Sequence, residues 1–310
     1  MEVGMFPAIA VLPESLMSIT RSRFRELLAF EEREIALISA REEAMGDYVI
    51  EHLYLQIGNE DVRGILTRPA VMTEKRPAIL YGHSHGGGYA VGARELLDGR
   101  EYLLDPLGPV FARAGYVTLC IDMPVFGERA NVSESFAAKA LLWRGKSLFG
   151  HMLSDHAAAL TYLAGRDDVD ANRIGAFGLS MGCVLSFWLA ALDDRIAAVA
   201  HLCCFADFRT MIALGAHDGH GIYLTVPGLL AETDNGSIAG LIAPRPQLIC
   251  VGEEDALSPM PAVERALAEL RPAYVGAEER LEFFSEPGVG HWETKQMRER
   301  VLAFFGQSLG

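Results

Sequence analysis

The stretch 173-RIGAFGLSMGCVLSFWLAAL-192 decides the fold, because its hydrophobic period changes part-way along. Residues 173–177 form a short run suited to a strand, whereas 183–192 repeat apolar residues at helical spacing. Between them lies Gly178-Leu179-Ser180-Met181-Gly182, a G-x-S-x-G turn. A sharp strand-to-helix turn requires small residues two places either side of the serine, since larger ones would crowd it. The turn lifts the Ser180 hydroxyl above a sheet, at a helix N-terminus whose free N–H groups favour developing negative charge. By itself the motif is weak: it arises by chance in many chains, where the serine is only a small residue in a tight turn.

The same alternation recurs on both sides. Continuous apolar runs at 78–82 (AILYG), 116–122 (YVTLCID), 196–204 (IAAVAHLCC), 246–252 (PQLICVG) and 280–285 (RLEFFS) read as strands buried on both faces of a parallel sheet. Helical patterns lie around 94–114, 150–164, 181–192, 262–270 and 293–306. This alternation predicts a doubly wound, mostly parallel α/β fold. Ahead of it, 48–58 and 62–69 alternate around the polar turn 59–61 and predict an antiparallel hairpin. Residues 18–45, rich in Arg, Glu, Leu and Ala and closed by Gly46-Asp47, predict an amphipathic helix. The chain therefore divides into an N-terminal helical extension, 1–47, and an α/β domain, 48–310. Insertions near 125–149 and 205–243 are too long for ordinary loops and are lid candidates.

Composition limits the partners. Of 310 residues half are hydrophobic, enough for a large core, and the net charge of −14 argues against a nucleic-acid surface. The five cysteines lack metal-type spacing, and the N-terminal residues read as neither signal peptide nor membrane anchor, so a cytoplasmic location is expected. No metal is expected at the "HDGH" of 217–220, since no third ligand group accompanies it.

Ligands of an open parallel sheet bind beyond the carboxyl ends of its strands, so the residues just after each run are informative. A serine nucleophile needs a base, and the base needs an orienting acid. His291, in the glycine-flanked loop "SEPGVGHWET", is the base candidate, and Asp255, in "GEEDALSP", is the preferred acid, with Asp207 as the alternative. Oxyanion donors are expected from the backbone N–H of Met181 and from the turn "GHSHGGGYAVG", where His85 is the choice. His83, His220, Tyr223 and Trp292 are candidate substrate contacts, with loop bracing and lid packing as the competing readings. Phe187 and Trp188 read as core.

From about Tyr48 onward these motifs resemble those of α/β-hydrolases, within them the dienelactone-hydrolase-like and acetyl xylan esterase-like serine carboxylesterases. "GHSHGGG" is similar to the family's oxyanion turn, "IDMPVFGER" to its post-strand loop, "GLSMG" to its nucleophile elbow, and "GEEDALSP" and "GVGHW" to its acid and histidine loops. Two departures stand out. Dienelactone hydrolases proper use cysteine where this chain has Ser180, and Ser84 stands where a glycine often follows the first histidine of the turn. The resemblance implies a cofactor-free serine esterase acting on a small-molecule, short-chain ester such as an acetyl ester through an acyl-enzyme, with self-association into a homo-oligomer left open. Cleavage of an amide, peptide or carbon–carbon bond by the same triad, and ligand binding without turnover, are the alternatives.

Overall fold

In the computed structural model, which describes residues 19–310, helix α1 (Arg21–Leu28) precedes an antiparallel meander of β1 (Ile35–Ala44), β2 (Tyr48–Ile57) and β3 (Glu60–Pro69). Then follow β4 (Arg76–Gly82), α2 (Glu95–Asp98), α3 (Leu107–Arg113), β5 (Val117–Ile121), α4 (Glu134–Leu142), α5 (Leu148–Ala164), β6 (Val169–Leu179) and α6 (Met181–Leu192). The last third comprises β7 (Ile196–Leu202), α7 (Phe208–Leu214), α8 (Leu229–Glu232), α9 (Asn235–Gly240), β8 (Gln247–Gly252), α10 (Met260–Leu270), β9 (Leu281–Glu286) and α11 (Lys295–Leu309). One sheet runs β1-β2-β3-β5-β4-β6-β7-β8-β9, parallel from β5 onward. Helices α3 and α11 cover one face; α5, α6 and α10 cover the other. Strands β4, β5, β7 and β8 are buried on both sides, which explains their unbroken apolar runs. Strand β9, at the far edge of the sheet, is only half-buried along its length, contrary to the reading of 280–285 as a doubly buried strand.

The hairpin and the strand-to-helix switch fall where the sequence places them, but the N-terminal helix does not. Helix covers only 21–28, where Thr20 caps the Arg23 N–H and Phe24 packs edge-on against Trp188 of α6 at 5.1 Å. Ile35–Ala44, helical in composition, is instead an edge strand paired along its length with β2. Nine residues of backbone pairing, interrupted only at Ile38, outweigh a helix propensity worth a few tenths of a kcal/mol per residue. The sheet thus begins ahead of Tyr48. The helix expected over 94–114 is also broken, into α2 and α3, by the turn that follows Gly99. Both insertions contain their own helices: α4 in 125–149, and α7, α8 and α9 in 205–243.

His156 in α5 and His201 in β7 are fully buried, and burial pushes both imidazoles from 6.5 down to about 3. Below pH 6.5 the unfolded chain takes up protons that the folded chain refuses. Stability therefore falls as pH drops from 6.5 towards 3, by up to about 1.4 kcal/mol per pH unit for each histidine. Neither His156 nitrogen has a hydrogen-bond partner among the described residues, so His156→Leu removes the proton uptake without breaking a bond. Urea unfolding at pH 7, 5.5 and 4.5 should lose about one proton of pH dependence in this variant; an unchanged slope would refute the assignment.

Candidate active site

Ser180 joins β6 to α6 with φ 60° and ψ −120°, a conformation that costs a non-glycine residue about 1–3 kcal/mol. Its N–H donates to the Leu202 carbonyl at 3.0 Å, anchoring the turn to β7. The elbow closes because two glycines touch: a Cβ on Gly178 would lie 2.3 Å from the Gly182 carbonyl, and one on Gly182 would lie 1.9 Å from the Gly82 oxygen. Met181 opens α6, so its N–H stands ahead of the intrahelical ladder and is free to face a ligand.

Asp255 and His291 come from the loops after β8 and β9. Two backbone bonds join these loops, from Glu253 N–H to Glu286 O (3.1 Å) and from Glu254 N–H to Val289 O (2.8 Å). His291 Nδ1 lies 2.7 Å from Asp255 Oδ2, and Asp255 Oδ1 accepts the Leu257 N–H at 2.9 Å. The Asp255 carboxylate is fully buried, so its charge is shielded from water, while the His291 ring is partly exposed. An aspartate on Nδ1–H leaves Nε2 as the lone-pair nitrogen; Nε2 is buried and has no partner among the described residues. Asp207 does other work: it caps α7, accepting the Thr210 N–H at 2.7 Å.

The turn after β4 is built on two buried glutamates that sequence reasoning passed over. Glu95 accepts from Tyr81 Oη–H (2.8 Å), from the Ser84 N–H (3.0 Å) and from the Ser84 hydroxyl. Ser84, the departure from the common glycine, thus pins the turn through its side chain. Glu134, first residue of α4, accepts from His85 Nε2 (2.6 Å), Tyr89 Oη–H (2.8 Å) and the Tyr223 N–H (2.9 Å). The only sequence signal for Glu134 was Ser133 before it, a helix-capping pattern; nothing local marked Glu95.

The other candidates separate. His83 is withdrawn from any ligand: it is 1% exposed, burial holds its pKa below 6.5, and its Nε2 accepts the Met123 N–H, so it braces the β4 and β5 loops. His220 donates Nε2–H to the Leu257 carbonyl at 2.8 Å, linking the second insertion to the acid loop. Burial lowers its pKa too. Tyr223 is buried with its ring stacked on His85 at 5.0 Å, and Trp292, beside His291, is 48% exposed. Asp122 accepts from Ala93 N–H, Glu128 N–H and Arg63, which makes it a loop brace. Phe187 and Trp188 are core, and burial pushes the Cys203 and Cys204 thiols up, Cys204 to about 12, leaving them unreactive.

A doubly wound sheet with a serine elbow after one strand and hydrogen-bonded acid and histidine loops after the last two defines an α/β-hydrolase. The model of the acetyl xylan esterase family matches residues 26–226, and the chain belongs to that family; it is a carboxylic ester hydrolase. YtaP of Bacillus subtilis, described as a hydrolase, is 36% identical over 278 residues, 88% of this chain and 93% of its own. The fold is similar to acetyl xylan esterase 1 from Thermoanaerobacterium (TM-score 0.66, 18% identity, 94% of this chain and 92% of that one). It is likewise similar to a glucuronoyl esterase from Solibacter usitatus (TM-score 0.64, 18% identity, 93% and 92%). Among the described residues no helix is long and apolar enough to cross a membrane.

Proposed function

We propose that Ser180 is the nucleophile of a carboxylesterase and that His291 and Asp255 are its base and orienting acid. His291 Nε2 takes the Ser180 proton as Oγ attacks the ester carbonyl, then returns it to the departing alcohol; water repeats the sequence to free the acid. Asp255 holds the imidazole in the tautomer with a proton on Nδ1 and stabilises the cation. The N–H groups of His85 and Met181 receive the oxyanion. The observation that carries this reading is the 2.7 Å His291–Asp255 contact together with a buried, unpartnered Nε2, at the sheet end that also bears the strained Ser180 elbow. We place the enzyme in the cytoplasm, where its five free, buried cysteines stay reduced.

A fluorophosphonate tests the core of the reading. After reaction and digestion, the adduct is expected on the peptide containing Ser180 and nowhere else; no adduct, or one on another residue, would overturn it.

Acetyl esters are the substrates suggested by the family's description, yet a cavity of about 390 Å³ in the second insertion has room for more. Phe208, Met211, Leu224, Val226 and Leu229 line it, and His220 connects its wall to the loop carrying Asp255. We assign it to the apolar acyl group of the ester. Ile222, 36% exposed at the rim, accepts a larger side chain without overpacking the core. Ile222→Trp should reduce kcat/KM for nitrophenyl hexanoate by about 10- to 100-fold and leave the acetate within about twofold. An equal effect on both esters would reject the assignment.

A further inference from the structure

We infer that Glu134 is a positioning residue that sets the oxyanion turn, and that it does so only when both insertions are docked against that turn. The inference rests on the proposed role of the His85 N–H as an oxyanion donor. Glu134 is 6% exposed, and its two oxygens gather three segments: Oε2 holds His85 and Tyr89 of the turn, while Oε1 holds the Tyr223 N–H of the second insertion. Glu134 itself belongs to the first insertion. Burial raises its pKa, but the bonds from His85, Tyr223 and Tyr89 outweigh this and leave it below 4.5, so the carboxylate is ionised at neutral pH.

The His85 ring has no freedom left. Its Nδ1 accepts the Gly87 N–H at 3.1 Å, which fixes the proton on Nε2, and that proton is the one donated to Glu134. Tyr223 stacks on one side of the ring, while Phe126 and Tyr89 meet it edge-on at 5.1 and 5.2 Å. With the side chain held at both nitrogens, the direction of the backbone N–H of the same residue is held too. The neighbouring Gly86 and Gly87, with φ of 47° and 68°, provide no stiffness of their own. An oxyanion donor must be aimed before the charge develops, because reorientation during reaction would forfeit its advantage.

Glu134→Gln keeps the shape and turns the acceptor shared by His85 and Tyr89 into a donor; the Tyr89 hydroxyl can rotate to accept from it, but the His85 Nε2–H cannot. The amide oxygen still accepts the Tyr223 N–H, but the amide NH₂ confronts His85 Nε2–H; relieving that clash moves the proton to Nδ1 and breaks the bond from Gly87. Steady-state kinetics per fluorophosphonate-titrated site should show kcat lower by about 10- to 100-fold with KM within about twofold. A trifluoromethyl ketone, which forms a tetrahedral oxyanion on the serine, should lose affinity by the same factor. Tyr89→Phe, which removes one of the three bonds and leaves His85 in place, should cost less than about threefold. If Glu134→Gln lowers thermal stability while kcat per titrated site and ketone affinity stay unchanged, Glu134 is a strut and the inference falls. A wild-type adduct on a residue other than Ser180 would instead overturn the underlying catalytic reading.

Discussion

Ser180→Ala is expected to lower kcat/KM for a nitrophenyl ester by about 10⁴- to 10⁶-fold without loss of stability. Removing the nucleophile of a triad leaves only the contributions of substrate binding and the oxyanion hole. The hydroxyl is not needed for the fold: α6 draws no side-chain cap from Ser180, and the elbow is held by the 3.0 Å backbone bond to Leu202 and the Gly178–Gly182 contact. Ser180→Gly sharpens the point. At φ 60° and ψ −120° a Cβ is strained, so the glycine variant should be inactive yet more stable than wild type by about 1–2 kcal/mol. Nitrophenyl ester assays beside urea unfolding measure both quantities. Residual activity within tenfold of wild type would remove Ser180 from the reaction.

Asp255→Asn is the second large effect: kcat should fall by about 10³- to 10⁴-fold with KM little changed. An asparagine can receive the Nδ1 proton only through its amide oxygen, which then denies the Leu257 N–H its acceptor; turned the other way, its NH₂ drives the histidine proton to Nε2, the nitrogen that must act as base. The position carries no charge to stabilise the imidazolium in either orientation. Asp207→Asn is the paired control. It should leave kcat within about threefold and stability within about 0.5 kcal/mol, because an asparagine oxygen caps α7 as well as the aspartate does. The reverse pattern would exchange the roles of the two aspartates.

The candidate site was legible wherever its geometry depends on short-range chemistry. Gly178 and Gly182 flank Ser180 because backbone has to pass there, and any chain making this turn carries that signature. Asp255 and His291 could be found because each follows an apolar run in a glycine-bearing loop, and the fold brings the ends of parallel strands together. Tertiary partners were the hidden part. Glu95 and Glu134 acquire meaning only when folding sets them against Ser84, His85 and Tyr223, and His83 looked available until Met123 was placed over its Nε2. The same reason explains the misread strand. Nothing in "IALISAREEA" announces β structure, and what makes it a strand is the bonding edge of β2 alongside.

That edge has a practical side. In its present place β1 is exposed along nearly all its length and ends in Arg41, Glu42 and Glu43, charges that discourage another sheet from docking there. A shortened chain starting at Tyr48, where alternation first becomes visible, would make β2 the border of the sheet. Its Val49, Ile50, Leu53 and Leu55 are buried in the intact protein, and they would sit on a bare, pairing-competent margin. For anyone trimming this enzyme for expression or fusion, the boundary has to lie ahead of α1 as well as β1, because Phe24 and Leu28 are fully buried in the core. The residues that least resemble a hydrolase guard its solubility.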